Sequence, residues 1–328
     1  MHIIKRLLLK SFERCGGFKL LQWRQRHRPV ILMYHRIIDQ PQIAGLAPAE
    51  FEQHLTYIAQ RYRVVPINTL LQELAEDRVK PYSLALTFDD GHCDFYQNAW
   101  PLLQKHQLPA SLYVTTGFVD GSLWLWPDLL KYLLINSPIK QFNLPSLGDI
   151  SLAEPEFLPS WHQLGDHCLS LSSEARSDFI QHLASTLNSA IPSAPLSPFT
   201  AVTWAQLQEM QQQGLDVGSH TVSHPILSSL TSTQLQHELS AAGSRIQAQL
   251  GQFPAGICYP NGRPSDINTQ VTQVAQQLGY NYGLMGRNLG IYKSQPFLIG
   301  RLAAHNDFDY FKWTLCRRPE KSHTKYLG

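Results

Sequence analysis

The sequence predicts an α/β fold organised around a parallel sheet of about seven strands, and three observations carry that prediction. Short apolar runs alternate with helix-like stretches along most of the 328 residues, the order of elements found where parallel strands are joined through helices. One run, Leu84-Ala85-Leu86-Thr87-Phe88, has the near-continuous apolar character of a strand covered on both faces. The length slightly exceeds the usual limit for one core, yet barrels of alternating strands and helices pass about 200 residues as single domains.

Taken in order, the first strand is expected at residues 30–37, where ILMYHRI closes an apolar stretch, and the second at Ser83–Phe88. Strands at 111–115, Asp216–Ser219, 256–259, 280–285 and 298–303 complete the set. Helices are expected between most of them, at Pro48–Arg61, 68–76, 94–105, 204–213, 233–250 and 267–278. The stretch 118–200 breaks the alternation. Trp124, Trp126 and Pro127 open it, DLLKYLL reads as helix, and Pro192, Pro195 and Pro198 close it. An excursion of that length inside a compact barrel is usually a functional loop or subdomain. It is expected to wall a cleft; a peripheral helical pair is the alternative.

Composition is that of an ordinary globular chain, 43% hydrophobic and 16% charged, which leaves room for a sizeable core. Five cysteines, an odd number without C-x-x-C spacing, suggest neither a disulfide framework nor a thiolate zinc site. The net charge of +2 conceals an asymmetry. Residues 1–28 hold eight Lys/Arg against Glu13 alone, a balance of +7 that leaves −5 on the rest. In this basic segment Ile4, Leu7, Leu8, Phe12 and Cys15 share one helical face, with Arg6, Lys10, Glu13 and Arg14 opposite. A membrane-surface helix and a helix docked on the protein both fit that pattern. The apolar run Leu7 to Leu9 is too short to span a bilayer or to act as a secretory core, so a cytoplasmic or peripheral-membrane location is expected. Nucleic acid is a poor candidate partner, because basic residues do not interleave with stacking aromatics and the body of the chain is acidic.

The chemistry concentrates at two strand ends. Asp89 and Asp90 leave the end of the apolar strand into Gly91, and because alternate strand residues face opposite ways, the two carboxylates diverge. Asp-Asp-Gly is also an ordinary solvated turn. The second signal decides between them: GSHTVSHP places His220 and His224 just after another strand-like run. Two imidazoles and a carboxylate are the donor set of a catalytic zinc site with an open position, or of a non-haem iron triad.

TFDDG followed by SHTVSHP resembles the first two motifs of the polysaccharide deacetylases, the NodB-homology enzymes of carbohydrate esterase family 4, over roughly residues 30–304. The resemblance implies an incomplete, distorted (β/α) barrel of about seven strands, within a catalytic domain at 29–316 that carries the insertion at 118–200 and is followed by a basic tail at 317–328. It implies Asp89 as general base, and Asp90, His220 and His224 as ligands of a divalent metal, usually Zn²⁺. In permuted members the acid histidine lies on the first strand, which nominates His35; His305 in RLAAHND, after the last strand, is the rival. The family's third motif, an arginine before Pro-Tyr-Gly, corresponds to Cys258-Tyr259-Pro260-Asn261-Gly262. Asn261 then supplies the oxyanion-holding backbone amide, the motif arginine is missing, and Arg301 is the candidate to replace its charge.

What the resemblance implies is removal of acetyl groups from an N-acetylated glycan or glycan precursor: water activated by metal, Asp89 accepting its proton, His35 protonating the departing amine. An O-deacetylase in the same pocket and a catalytically silent carbohydrate-binding barrel are the alternatives. A glycosidase is disfavoured, because adjacent strand residues rarely hold carboxylates about 5 Å or more apart across a bond.

Overall fold

The computed structural model describes residues 2–40, 42–121 and 123–320, with side chains from residue 8 onward. The expectations for the side chains of Ile4, Arg6 and Leu7 lie outside the described side chains, and the tail beyond residue 320 lies outside the described residues. The described residues form ten strands: β1 (Val30–Tyr34), β2 (Arg63–Val64), β3 (Ser83–Phe88), β4 (Ser111–Val114), β5 (Gln141–Leu144), β6 (Gly148–Ser151), β7 (Asp216–Ser219), β8 (Gly256–Cys258), β9 (Tyr282–Leu284) and β10 (Leu302–Ala303).

Seven of them run in the order β10-β1-β3-β4-β7-β8-β9, every neighbouring pair parallel, and the two-residue β2 joins as a side pair on β3. The sheet curls into a half-barrel with helices outside it. Its two edges approach through one stretch of chain: Ile299 bridges Leu284 in β9, and a few residues on, Leu302 pairs with Leu32 in β1. All six residues of β3 are buried, as a central parallel strand covered on both faces requires. Leu84, Leu86 and Phe88 pack with Leu32, Tyr34, Leu112 and Val114 under the helix Pro48–Arg61. Ala85 belongs to a second cluster with Ile31, Tyr113, Cys258 and Leu284. The pleat sorts these two sets, and the parallel register brings the C-terminal ends of β1, β3, β7 and β8 to one rim.

The interruption at 118–200 has its own apolar core. Leu130, Leu133 and Leu134 of the helix Trp126–Asn136 pack against the antiparallel hairpin β5–β6 and the helices Phe157–Ser170 and Ser173–Thr186 through Leu144, Ile150, Leu164, Ile180 and Leu183. Two sequence expectations are corrected. The strand at 298–303 shrinks to β10 plus the single Ile299 bridge. The helix at 94–105 opens as a wide π-turn, Phe95–Ala99, before regular helix at Trp100–His106. Pro101 accounts for that: it has no N–H to donate one turn back, and the wider turn accommodates the loss.

At the N-terminus, helices His2–Arg14 and Gly17–Arg24 meet at Gly16, which takes the positive φ of 74° that such a break needs. Phe18 is buried, Gln22 donates to Tyr57, and Glu13 pairs with Lys312. Leu8, Leu20 and Trp23 remain exposed. Among the described residues, no helix is long and apolar enough to cross a membrane.

Candidate active site

The strand ends at the common rim surround a cavity of about 490 Å³. Asp89 and Asp90 enter it from β3, with Asp90 at φ 74° and Gly91 at φ 92° turning the chain away; the Asp90 carbonyl is pinned by the Thr115 N–H at 3.1 Å. His220 leaves β7 with its N–H bonded to the Val114 carbonyl, and the loop after it is fastened by Glu238 of the helix Ser232–Leu250. Glu238 accepts from the N–H groups of Val222 and Ser223 and from the Ser223 hydroxyl. Thr221, His224 and Asn261 join Asp90 with positive φ, a cluster of strained non-glycine backbone of the kind that persists where surroundings over-determine it.

The two aspartates play different geometric parts. Asp90 Oδ1 lies 3.4 Å from His220 Nε2 and 3.6 Å from His224 Nε2. These three donor atoms fall within 4.8 Å of one another, a group that could hold a metal ion. The tautomer fits as well: His220 Nδ1–H donates to the Cys258 carbonyl at 2.7 Å, which turns the Nε2 lone pair toward Asp90. A second group of potential donors, Asp89, His220 and Cys258, is equally compact. Its chemistry fits less well. Both Asp89 oxygens are occupied by Arg301, and burial pushes the Cys258 thiol up, away from the thiolate a metal would need.

Asp89 is clamped. Arg301 Nη1 and Nη2 each donate to one of its oxygens at 2.7 Å, and the guanidinium is itself held by the Met285 carbonyl, by Thr87 Oγ1 and by Cys258 Sγ at 2.9 Å. Burial works to raise the Asp89 carboxyl, but the Arg301 charge and hydrogen bonds outweigh it and hold it below the usual carboxylate range. The charge the third motif lacks is thus supplied from the opposite edge of the sheet, with the Cys258 thiol filling the space beside it. His35, one residue past β1 and 47% exposed, points Nε2 at Asp89 Oδ2 from 3.8 Å. His305 does not line the cavity; it stacks on Tyr310, and its Nδ1 accepts from the Asp307 N–H. Asn261 lines the wall, and Gly262 beside it is required: an added Cβ there would meet the Gly286 nitrogen at 2.1 Å.

Sequence reasoning missed a polar ladder behind Asp90. His92 Nδ1 sits 3.7 Å from Asp90 Oδ2, its Nε2 2.6 Å from Asp128, and Arg36 joins Asp128 to Asp94. Their positions directly after TFDDG and inside MYHR were the available signals. The interruption at 118–200 does reach the site: Leu125, Asp128, Lys131, Trp161 and Phe199 form one wall.

The sequence model described as polysaccharide deacetylase matches residues 76–141 and 162–283, more than half of the chain. The chain belongs to the polysaccharide deacetylase family. As a polysaccharide deacetylase it is a hydrolase of acetyl groups on polysaccharides. The matched residues contain Asp89, Asp90, His220, His224 and Asn261 but neither His35 nor Arg301, which come from the strands outside it. The deacetylase is 24% identical over 268 residues to YxkH of Bacillus subtilis (strain 168), whose name places it with the polysaccharide deacetylases; the alignment covers 80% of this chain and 67% of that protein. Among solved structures it is similar to Streptococcus pyogenes deacetylase PplD in complex with acetate, with a TM-score of 0.60 at 20% identity, covering 88% of this chain and 98% of that one. A de-N-acetylase from Aggregatibacter actinomycetemcomitans gives a TM-score of 0.56 at 16% identity, covering 88% and 99%.

Proposed function

We propose that this deacetylase removes acetyl groups from N-acetylated sugars, with Asp90, His220 and His224 as ligands of a divalent metal, most simply Zn²⁺, and Asp89 as the base. The observation that carries the reading is the division of labour between the adjacent carboxylates: Asp90 faces two imidazole Nε2 atoms, whereas Asp89 is fixed by Arg301 and faces the cavity. A metal held there supplies Lewis acidity, making water acidic enough to serve as a nucleophile near neutral pH. Asp89, kept ionised by Arg301, is free to take a proton and cannot swing toward the metal ligands. In this reading the Asn261 N–H receives the developing oxyanion, a donor fixed in advance by the turn that Gly262 makes against Gly286. His35, at the open mouth of the cavity and within reach of Asp89, donates the proton that lets an amine depart. The test is acetate release from N-acetylated oligosaccharides and from O-acetylated counterparts. The proposal expects turnover of the amides, abolished in H220A; turnover of esters alone would make the enzyme an O-deacetylase.

The same proposal includes residues 29–316 as the catalytic unit and residues 1–28 as a contact with anionic membrane surface. Phe18 and Gln22 dock the second helix, while Leu8, Leu20 and Trp23 stay exposed among Lys10, Arg14, Lys19 and Arg24. Co-sedimentation with phosphatidylglycerol vesicles, absent with phosphatidylcholine and weakened in L20A/W23A, is the expected result; equal recovery with both lipids would remove the membrane from the account.

A further inference from the structure

The wall contributed by the interruption carries a charge for which neither the fold nor the deacetylation chemistry accounts. Lys131, on the helix Trp126–Asn136, is 4% exposed and lines the cavity, and its Nζ has no hydrogen-bond partner among the described residues. It lies 3.7 Å from the centroid of the Trp161 ring, whose own Nε1–H is also buried and unpartnered. The nearest charge of opposite sign along its helix, Asp128, is already engaged by His92 and Arg36. An aromatic face offsets part of the cost of burying an ammonium, but its three N–H donors still want acceptors. Burial lowers the Lys131 ammonium only to about 8, so it remains charged at neutral pH.

The arrangement is repeated beyond His224. A second cavity of about 210 Å³, which His224 also lines, contains Arg176 over the Trp126 ring at 5.1 Å, with Arg176 Nη1 and Trp126 Nε1 both buried and without partners among the described residues. Two cation–tryptophan pairs, each with unused donors, therefore flank the same histidine. Neutral glycans offer hydroxyls to such donors; only an anionic group also compensates the buried charge.

We propose that the insertion selects acidic glycans, with Lys131 binding a carboxylate or phosphate of the substrate while Trp161 stacks on a sugar ring, and with Arg176 as a second anion contact. The idea rests on the deacetylase reading for its substrate class, but binding tests it without turnover. Calorimetry compares hyaluronan tetrasaccharide, which carries uronate carboxylates beside N-acetyl groups, with neutral chitotetraose. N-acetylglucosamine 1-phosphate against N-acetylglucosamine separates phosphate from carboxylate. The full-length protein is expected to prefer one anionic ligand over its neutral counterpart by roughly tenfold or more, the scale of a charged hydrogen bond. That preference should collapse in K131M and survive largely in K131R. Equal affinity for acidic and neutral ligands, or a preference that K131M leaves intact, overturns the proposal. An intact preference without acetate release from any ligand would instead count against the N-deacetylase reading alone.

Discussion

Asp89 and Arg301 form a buried ion pair whose two hydrogen bonds, both 2.7 Å, set the position of the proposed base. Removing one partner leaves an uncompensated charge in the interior, so R301M should lose about 3–5 kcal/mol of stability in denaturant unfolding at neutral pH, and D89N/R301M should recover part of it. The pH dependence follows from the direction of the shift. Because the folded carboxyl is held below its unfolded value near 3.9, the pair's contribution is full above roughly pH 4 and fades as pH falls through the folded value; the gap between wild type and R301M should narrow there. For catalysis, D89N should lower turnover by about 100-fold or more with metal retained, whereas D90N should weaken metal affinity. H35A should impair amides far more than activated esters, which need no protonated leaving group, and H305A should show no such selectivity. The adjacent aspartates and H-x-x-x-H spacing made this much readable from sequence. Arg301 was readable as the candidate to replace the missing motif arginine, but its two-point clamp on Asp89 was not, because the closure that brings the residue before β10 to the end of β3 is a property of the whole sheet. Arg36, His92, Asp128 and Lys131 stayed silent because a lone polar residue in a sequence does not show what faces it.

The elements that shape the rim depend on a few backbone positions. Gly262 adopts φ 62° where an added methyl would strike the Gly286 nitrogen, so G262A should cost roughly 2 kcal/mol or more in thermal unfolding and also depress acetate release, through displacement of the Asn261 amide. The parallel strands and most crossover helices were legible, since apolar runs of four to six residues bounded by glycine or proline have few other uses. Where the reading failed, a tertiary contact or a local exception had replaced the periodic rule. Pro101 widened a helix start, β10 pairs through two residues only, and the hairpin β5–β6 was hidden because its buried residues, Leu144 and Ile150, face a core that the insertion helices complete.

At the scale of the whole molecule, the half-barrel presents a reactive rim and the insertion turns that rim into a cleft, its own core of Leu130, Leu133, Leu164 and Leu183 standing apart from the barrel's. Truncating Leu133, fully buried there, to Ala should cost about 2–5 kcal/mol locally and loosen the cleft wall, raising KM for long glycans more than for short ones. The sequence indicated a barrel and an excursion, but the excursion's contact with the cleft depended on packing between segments far apart in the chain. The proposed chemistry requires that Asp90, His220 and His224 hold a metal. Elemental analysis of purified wild type beside H220A and H224A, with acetate release measured on the same samples, addresses that directly. The account predicts about one divalent ion per chain in wild type and loss of both ion and activity in each variant; stoichiometric metal persisting in both histidine variants would contradict it.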